Sequence, residues 1–238
     1  MILSHAKAFV ILAPWKTASS TMHLRFAVLN ESPFSRFYYF SPYLNRVTHQ
    51  HVTCAEFSSY PQARLGYATA AFVRNPYDRV YSGFLQVQRD LREQPLAVFP
   101  AQWVRELVLQ QLEENRAQLA RADYDFDRWV AGLTEAQIFA TGRNTSFPLH
   151  PAHYWTHLAG AQYVSFIGRV ERFEHDLALF CGRVGVAVPP RVNSNVSSNA
   201  DTADLYRYAA AMRPASIDKI NRLFAEDFAL FGYQMLPR

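Results

Sequence analysis

The strongest constraint on this chain is a unit that recurs along it: a short uninterrupted apolar run, a polar turn, then apolar residues at helical spacing. Ala8 to Ala13 reads as a strand buried on both faces. Ser19 or Ser20 can then cap a helix that lays Met22, Leu24, Phe26, Ala27, Val28 and Leu29 against that strand. The second copy is Ala68 to Val73, with Asn75 placed to cap and Pro76 at a first helical position, where no N–H is needed. Its helix is expected from Pro76 to about Arg89. A third run, Tyr163 to Ile167, precedes Gly168 and a helix near Glu171 to Val184. Strands alternating with helices predict an α/β fold with a mainly parallel sheet, whose ligand site lies at the carboxyl ends of the strands.

The remaining segments fill in around these units. Phe34 to Tyr60 is aromatic and polar without a sustained helical period, and is expected to line a site or cross one edge of the sheet. Trp103, Val104, Leu107, Val108 and Leu112 mark one core-facing helix, and Phe126, Trp129, Val130 and Leu133 mark another. The tail from Ser216 to Phe231 carries Ile217, Ile220, Leu223, Phe224 and Phe228 on one face and stops at Gly232, a favourable C-terminal cap. The loop from Pro189 to Asn199 is long and rich in Asn and Ser.

With 238 residues, half of them hydrophobic, the chain is expected to build a single domain over residues 1–238. Its net charge of +4 suits an anionic ligand but is too small to indicate nucleic acid. Cys54 and Cys181 stand far apart, which excludes a disulfide framework and a zinc-ribbon spacing. The run from Ala8 to Pro14 is too short to span a bilayer and no basic segment precedes it, so no membrane span and a cytoplasmic location are expected. The Asn-x-Ser sites at Asn144 and Asn195 then read as chance.

Two turns carry the chemistry. In the first, Pro14-Trp15-Lys16-Thr17-Ala18-Ser19-Ser20-Thr21, backbone N–H groups converge between strand and helix, Lys16 offers a point charge, and Thr17, Ser19, Ser20 and Thr21 offer hydroxyls. The same residues would also make a solvated polar turn. They do not make a Walker loop, since Met1 to Thr21 contains no glycine. In the second, Arg74 falls at a strand's carboxyl end and Ser82 lies seven residues past Asn75, on the same helical face. Arginine presents a planar fork to phosphate and serine adds a donor. The alternative is an Arg74–Asp78 pair and a surface hydroxyl.

These turns resemble the phosphosulfate loop and the 3′-phosphate motif of the PAPS-dependent sulfotransferase superfamily, especially the heparan and chondroitin sulfate O-sulfotransferase branch (sulfotransferase family 2). The family loop has the form P-K-T-A-G-T-S. Here Lys16, Thr17, Ala18, Ser19, Ser20 and Thr21 occupy it, with Trp15 replacing the proline and Ser19 the glycine. A serine resists any positive φ that the glycine supplied. Arg74-Asn75-Pro76-Tyr77-Asp78-Arg79 with Ser82 matches R-[DN]-P-Y-x-R-x-x-S, which implies that Arg74 and Ser82 hold the 3′-phosphate. Phe166 to Asp176 and Glu226 to Tyr233 are similar to later family segments, so the likeness runs in order from Pro14 to Tyr233.

Between the nucleotide motifs, His49-Gln50-His51-Val52 resembles the H-G-H-V element of the 2-O-sulfotransferases. The resemblance implies that His49 is the catalytic base and that His51 supports the site; two structural histidines are the alternative. An imidazole with an ordinary pKa of about 6.5 suits proton abstraction at neutral pH. A metal site would need a third ligand that no nearby residue offers, and no metal is expected. His150, His153 and Arg143 are further candidates to face an acceptor, and Tyr38, Tyr39, Phe40 and Tyr43 are candidates to stack on a sugar.

The resemblance implies a P-loop-like three-layer α/β/α sandwich and transfer of a sulfuryl group from 3′-phosphoadenosine 5′-phosphosulfate to an acceptor hydroxyl, with a carbohydrate as one candidate. Lys16 would stabilise charge on the leaving phosphate. The rivals are a small-metabolite kinase of P-loop type and a non-catalytic nucleotide- or glycan-binding module on the same scaffold.

Overall fold

The computed structural model describes residues 1–34, 38–93, 101–139, 149–192, 206 and 208–237. Arg143, Asn144, Asn195 and the stretch from Asn193 to Ser198 lie outside the described residues. The chain divides into two compact units, Met1–Arg74 with Pro151–Leu205, and Asn75–His150 with Tyr206–Arg238.

The first unit is built on a four-stranded sheet. β1 (Ile2–Ser4) runs antiparallel to β2 (Phe9–Leu12), which pairs in parallel with β5 (Ala68–Val73), itself parallel to β8 (Phe166–Arg169). The first and second expected strands appear where the apolar runs placed them. The third begins three residues later than expected, because Tyr163 and Val164 instead donate their N–H groups to the Thr156 carbonyl. β1 was not anticipated: three residues give too short a pattern, and the turn that joins it to β2 ends on Ala8 at φ 50°.

Alternation along the strands splits the core between the two faces of this sheet. Ile2, Phe9, Ile11, Ala70 and Phe72 pack against Met22 and Phe26 from α1 (Ser19–Arg25) and its exit, and against Leu177, Phe180 and Cys181 of α7 (Phe173–Arg183). Leu3, Val10, Leu12 and Ala71 pack on the other face against Val52, Tyr60, Trp155 and the residues of α2 (Cys54–Phe57). Gly168 is required here, since a Cβ would stand 2.5 Å from the Phe72 ring. The aromatic stretch forms a hairpin, β3 (Tyr38–Ser41) with β4 (Arg46–His49), in which Tyr38 faces His49 in register. A shorter ladder joins β6 (His157–Leu158) to β7 (Ala161–Gln162).

The second unit is helical. α3 (Pro76–Glu93) begins at the expected proline, and its Asn75 cap accepts the Tyr77 N–H at 2.9 Å. α4 (Gln102–Arg121), α5 (Phe126–Gly132) and the short α6 (Glu135–Ile138) follow. The tail is two helices rather than one, α8 (Pro214–Leu223) and α9 (Ala225–Phe231), broken at Phe224 and ended by Gly232 at φ 62°. Tyr77, Val80, Phe84, Trp129, Ile220, Phe224 and Phe228 are buried there.

Candidate active site

The Lys16 turn owes its shape to two left-handed residues. Lys16 has φ 62°, and Ala18, which precedes α1, has φ 62° and ψ 24°. Left-handed residues separated by one of ordinary φ give the alternating backbone of an anion-binding nest. The strain expected at Ser19 therefore falls on its neighbours, and Ser19 is simply the first helical residue. Thr17, 1% exposed, donates its hydroxyl to the Pro14 carbonyl at 2.9 Å and closes the loop from inside. Ser19 and Ser20 are half-buried, with no side-chain hydrogen bond among the described residues. No acidic residue occupies the first turn of α1.

Arg74 leaves the sheet beside this turn. β2 and β5 are adjacent parallel strands in the register Leu12↔Ala71, so both turns start from one edge of the sheet, strands about 5 Å apart. Arg74 is half-buried and has no ion pair or hydrogen bond among the described residues, so the Asp78 pairing is not made. Asp78 accepts the Tyr208 N–H instead, at 3.4 Å. Ser82, on α3 of the second unit, is 7% exposed and likewise has no side-chain hydrogen bond among the described residues.

The motif's second arginine has another task. Arg79 is fully buried and donates from both terminal nitrogens to the His150 carbonyl, at 2.8 and 2.7 Å. It also lies 3.6 Å from Asp227 and over the Phe224 ring. The family-like closing segment thus supplies Asp227 as a structural counter-ion. Asp176 plays a similar part in the segment from Phe166, accepting the Arg169 N–H at 2.8 Å while pairing with Arg172 and His175. His150 is buried, its Nδ1 against the Ile138 carbonyl at the end of α6. His153 stays half-buried beside Tyr154.

The two histidines of the hairpin meet the Lys16 turn through Trp15. The Trp15 ring stacks on His51 at 3.8 Å and on His49 at 4.9 Å, and the imidazoles stand 4.8 Å apart with 5° between their planes. The edge of Tyr38 closes on His49 at 4.7 Å. His51 is held at both ring nitrogens, Nδ1 by the Ala13 carbonyl and Nε2 by the Gln50 amide at 3.4 Å, while its own carbonyl accepts the Trp155 indole N–H at 3.2 Å. Burial pushes the His49 imidazole down to about 3, although the residue as a whole is only half-buried, and burial together with His49 holds His51 well below its ordinary value. Both rings are neutral at pH 7. Sequence reasoning treated Trp15 only as a departure from a motif; its signal was an aromatic side chain in the turn of one strand and an H-x-H pair in the hairpin that follows.

Tyr38 and Tyr39 are core residues, Tyr39 hydrogen-bonded to the Tyr60 hydroxyl at 3.0 Å, whereas Phe40 and Tyr43 are exposed. Among the described residues no group of three or more His, Cys, Asp or Glu side chains is placed to hold a metal ion, and no helix is long and apolar enough to cross a membrane.

A mixed, mostly parallel sheet flanked by helices, with the Lys16 turn and Arg74 at the ends of neighbouring strands, defines an α/β protein. The model of the sulfotransferase family matches residues 4–234, and the chain belongs to that family. It is a transferase that takes its sulfuryl group from 3′-phosphoadenosine 5′-phosphosulfate, which sets aside the kinase reading. No curated protein and no solved structure matches the chain.

Proposed function

We propose that the donor's 5′-phosphosulfate is held by the turn from Lys16 to Thr21, that Arg74 and Ser82 hold its 3′-phosphate, and that His49 is the base. The nest and Arg74, which has no partner among the described residues, fit a ligand with two separated anionic groups. The acceptor hydroxyl attacks sulfur in line, its proton passes to His49, and the bond from sulfur to the bridging phosphate oxygen breaks with its electron pair going to adenosine 3′,5′-bisphosphate. Lys16 and the amides of its turn stabilise that leaving charge. His51, committed at both ring nitrogens, supports the site rather than taking the proton. The observation that carries this reading is the Trp15 contact, which seats the donor turn directly against the histidine pair.

The acceptor is proposed to be a carbohydrate hydroxyl, with the exposed Phe40 and Tyr43 as the aromatic surfaces available to a pyranose. A P-loop-like three-layer sandwich and a single cooperative domain belong to the same proposal. A family match running through both units supports it, as does a chain that passes between them three times. A cytoplasmic location is proposed on the sequence expectation alone.

The test is calorimetric titration with adenosine 3′,5′-bisphosphate beside adenosine 5′-phosphate and ATP, without metal. Micromolar binding of the bisphosphate is expected, with large losses for adenosine 5′-phosphate and in Arg74→Ala. Equal binding of the three nucleotides would overturn the assignment of Arg74.

A further inference from the structure

Trp15, His49 and His51 form one stacked cluster: the indole lies 3.8 Å from the His51 ring and 4.9 Å from the His49 ring, and the two imidazoles, 4.8 Å apart, are parallel to within 5°. The hairpin brings His49 to this cluster from β4, the Ala13 carbonyl holds His51 in it, and Trp15 stacks on both.

We propose that Trp15 is a positioning residue for the sulfuryl transfer: its indole holds the two imidazoles parallel and shields them from water, so that His49 meets the acceptor hydroxyl already oriented. The role in transfer rests on the reading of His49 as base; the platform itself does not. Two effects of the indole on these rings compete. Its π face favours an imidazolium by about 0.5–2 kcal/mol, equivalent to a pKa rise of up to about 1.5 units. Its bulk removes water from rings whose burial has the opposite and larger effect, taking His49 from an ordinary value of about 6.5 to about 3. Shielding wins. The other titratable groups facing the pair are Tyr38 from β3, His23 from α1 and the Met1 amino group ahead of β1. None of these is removed by changing Trp15.

The experiment is a pH titration of the imidazole Cε1–H signals by NMR between pH 5 and 8, on the wild type, Trp15→Ala and Trp15→Phe. In the wild type, the His49 and His51 signals are expected upfield of ordinary histidines, displaced by the indole ring current, and flat across the window. In Trp15→Ala, His49 is expected to lose its ring-current shift and titrate with a midpoint rising toward about 6.5. Trp15→Phe, which keeps an aromatic floor, should restore the flat profile and most of the upfield shift. A merely structural tryptophan would give no such rescue tied to the two histidine signals. Ordinary wild-type shifts, or a Trp15→Ala profile identical to the wild type, would overturn the proposal. If Trp15→Ala does not fold, Trp15→Phe decides: its weaker ring current must reduce the displacement of both signals together, and unchanged signals refute the stack. Titration of the same samples with adenosine 3′,5′-bisphosphate separates the two readings, because a protein that does not bind the nucleotide refutes the donor site while the histidine signals still report on the platform.

Discussion

Replacing Arg79 by methionine separates the two arginines of one motif, which lie five residues apart and do unrelated work. Arg79 gives two charge-assisted hydrogen bonds to a single carbonyl, at 2.8 and 2.7 Å, lies over Phe224, and faces Asp227 across 3.6 Å with both side chains at most 1% exposed. A hydrogen bond from a charged group contributes about 1.5–3 kcal/mol, and two to one acceptor do not add in full. Methionine keeps the stem's packing but leaves the His150 carbonyl unsatisfied and removes the counter-ion of a buried carboxylate. The expected loss is about 3–5 kcal/mol, a large part of the roughly 5–15 kcal/mol that holds a typical domain together. Urea denaturation followed by far-ultraviolet circular dichroism measures it. Asp227→Asn, which preserves the carbonyl bonds, should lose less, about 1–3 kcal/mol. Arg74→Ala should lie within about 0.5 kcal/mol of wild type, since Arg74 has no partner to lose among the described residues. An Arg79→Met protein within about 1 kcal/mol of wild type would refute the assignment of Arg79 as the buried tie of α3.

His49→Ala should lower the transfer rate by about 10²–10⁴-fold while adenosine 3′,5′-bisphosphate binds as before, read by single-turnover release of product; a rate within threefold of wild type would exclude a base at this position. Ala18→Gly should raise stability by about 1 kcal/mol, because glycine adopts φ 62° without a Cβ clash, and a lower urea midpoint would show that the left-handed turn is wrongly assigned. Stability should also depend on acid through the buried imidazoles. With the folded pKa of His49 below its unfolded value, the unfolded chain takes up the extra proton, so stability is whole above about pH 6.5 and declines as pH falls toward 3. Urea midpoints from pH 7.5 to 4.5 should fall, and less steeply in His49→Asn.

The parallel sheet was legible because its strands are buried on both faces and read as unbroken apolar runs at Ala8 to Ala13 and Ala68 to Val73. The hairpin was not, because Tyr38-Tyr39-Phe40-Ser41 puts only Phe40 outward and so lacks a clean polar alternation. In the tail, Leu223 and Phe224 continue a helical stripe, and the break that divides α8 from α9 leaves no glycine or proline to announce it. At the candidate site, position at the strand ends singled out Lys16 and Arg74, and the family resemblance singled out the histidines. They could not show that Thr17 turns inward, that Arg79 rather than Arg74 is the paired arginine, or that Trp15 is the surface on which both imidazoles rest. Those facts depend on which strands become neighbours, and local sequence carries no record of that.

The strand order has a consequence for how the protein comes into being. β2 must find β5 across the whole hairpin segment, and β5 must wait for β8, which is made only after residues 75–150 have been synthesised. Pairings between such distant segments form late, because closing a long loop precedes any reward from the contacts it brings. The turns bearing Lys16 and Arg74 hang from the ends of β2 and β5, so a nascent chain owns both motifs long before the strand pairing brings them together. With the donor site proposed there, nucleotide binding becomes a folding readout, acquired with the central strand pair and absent from every species that precedes it.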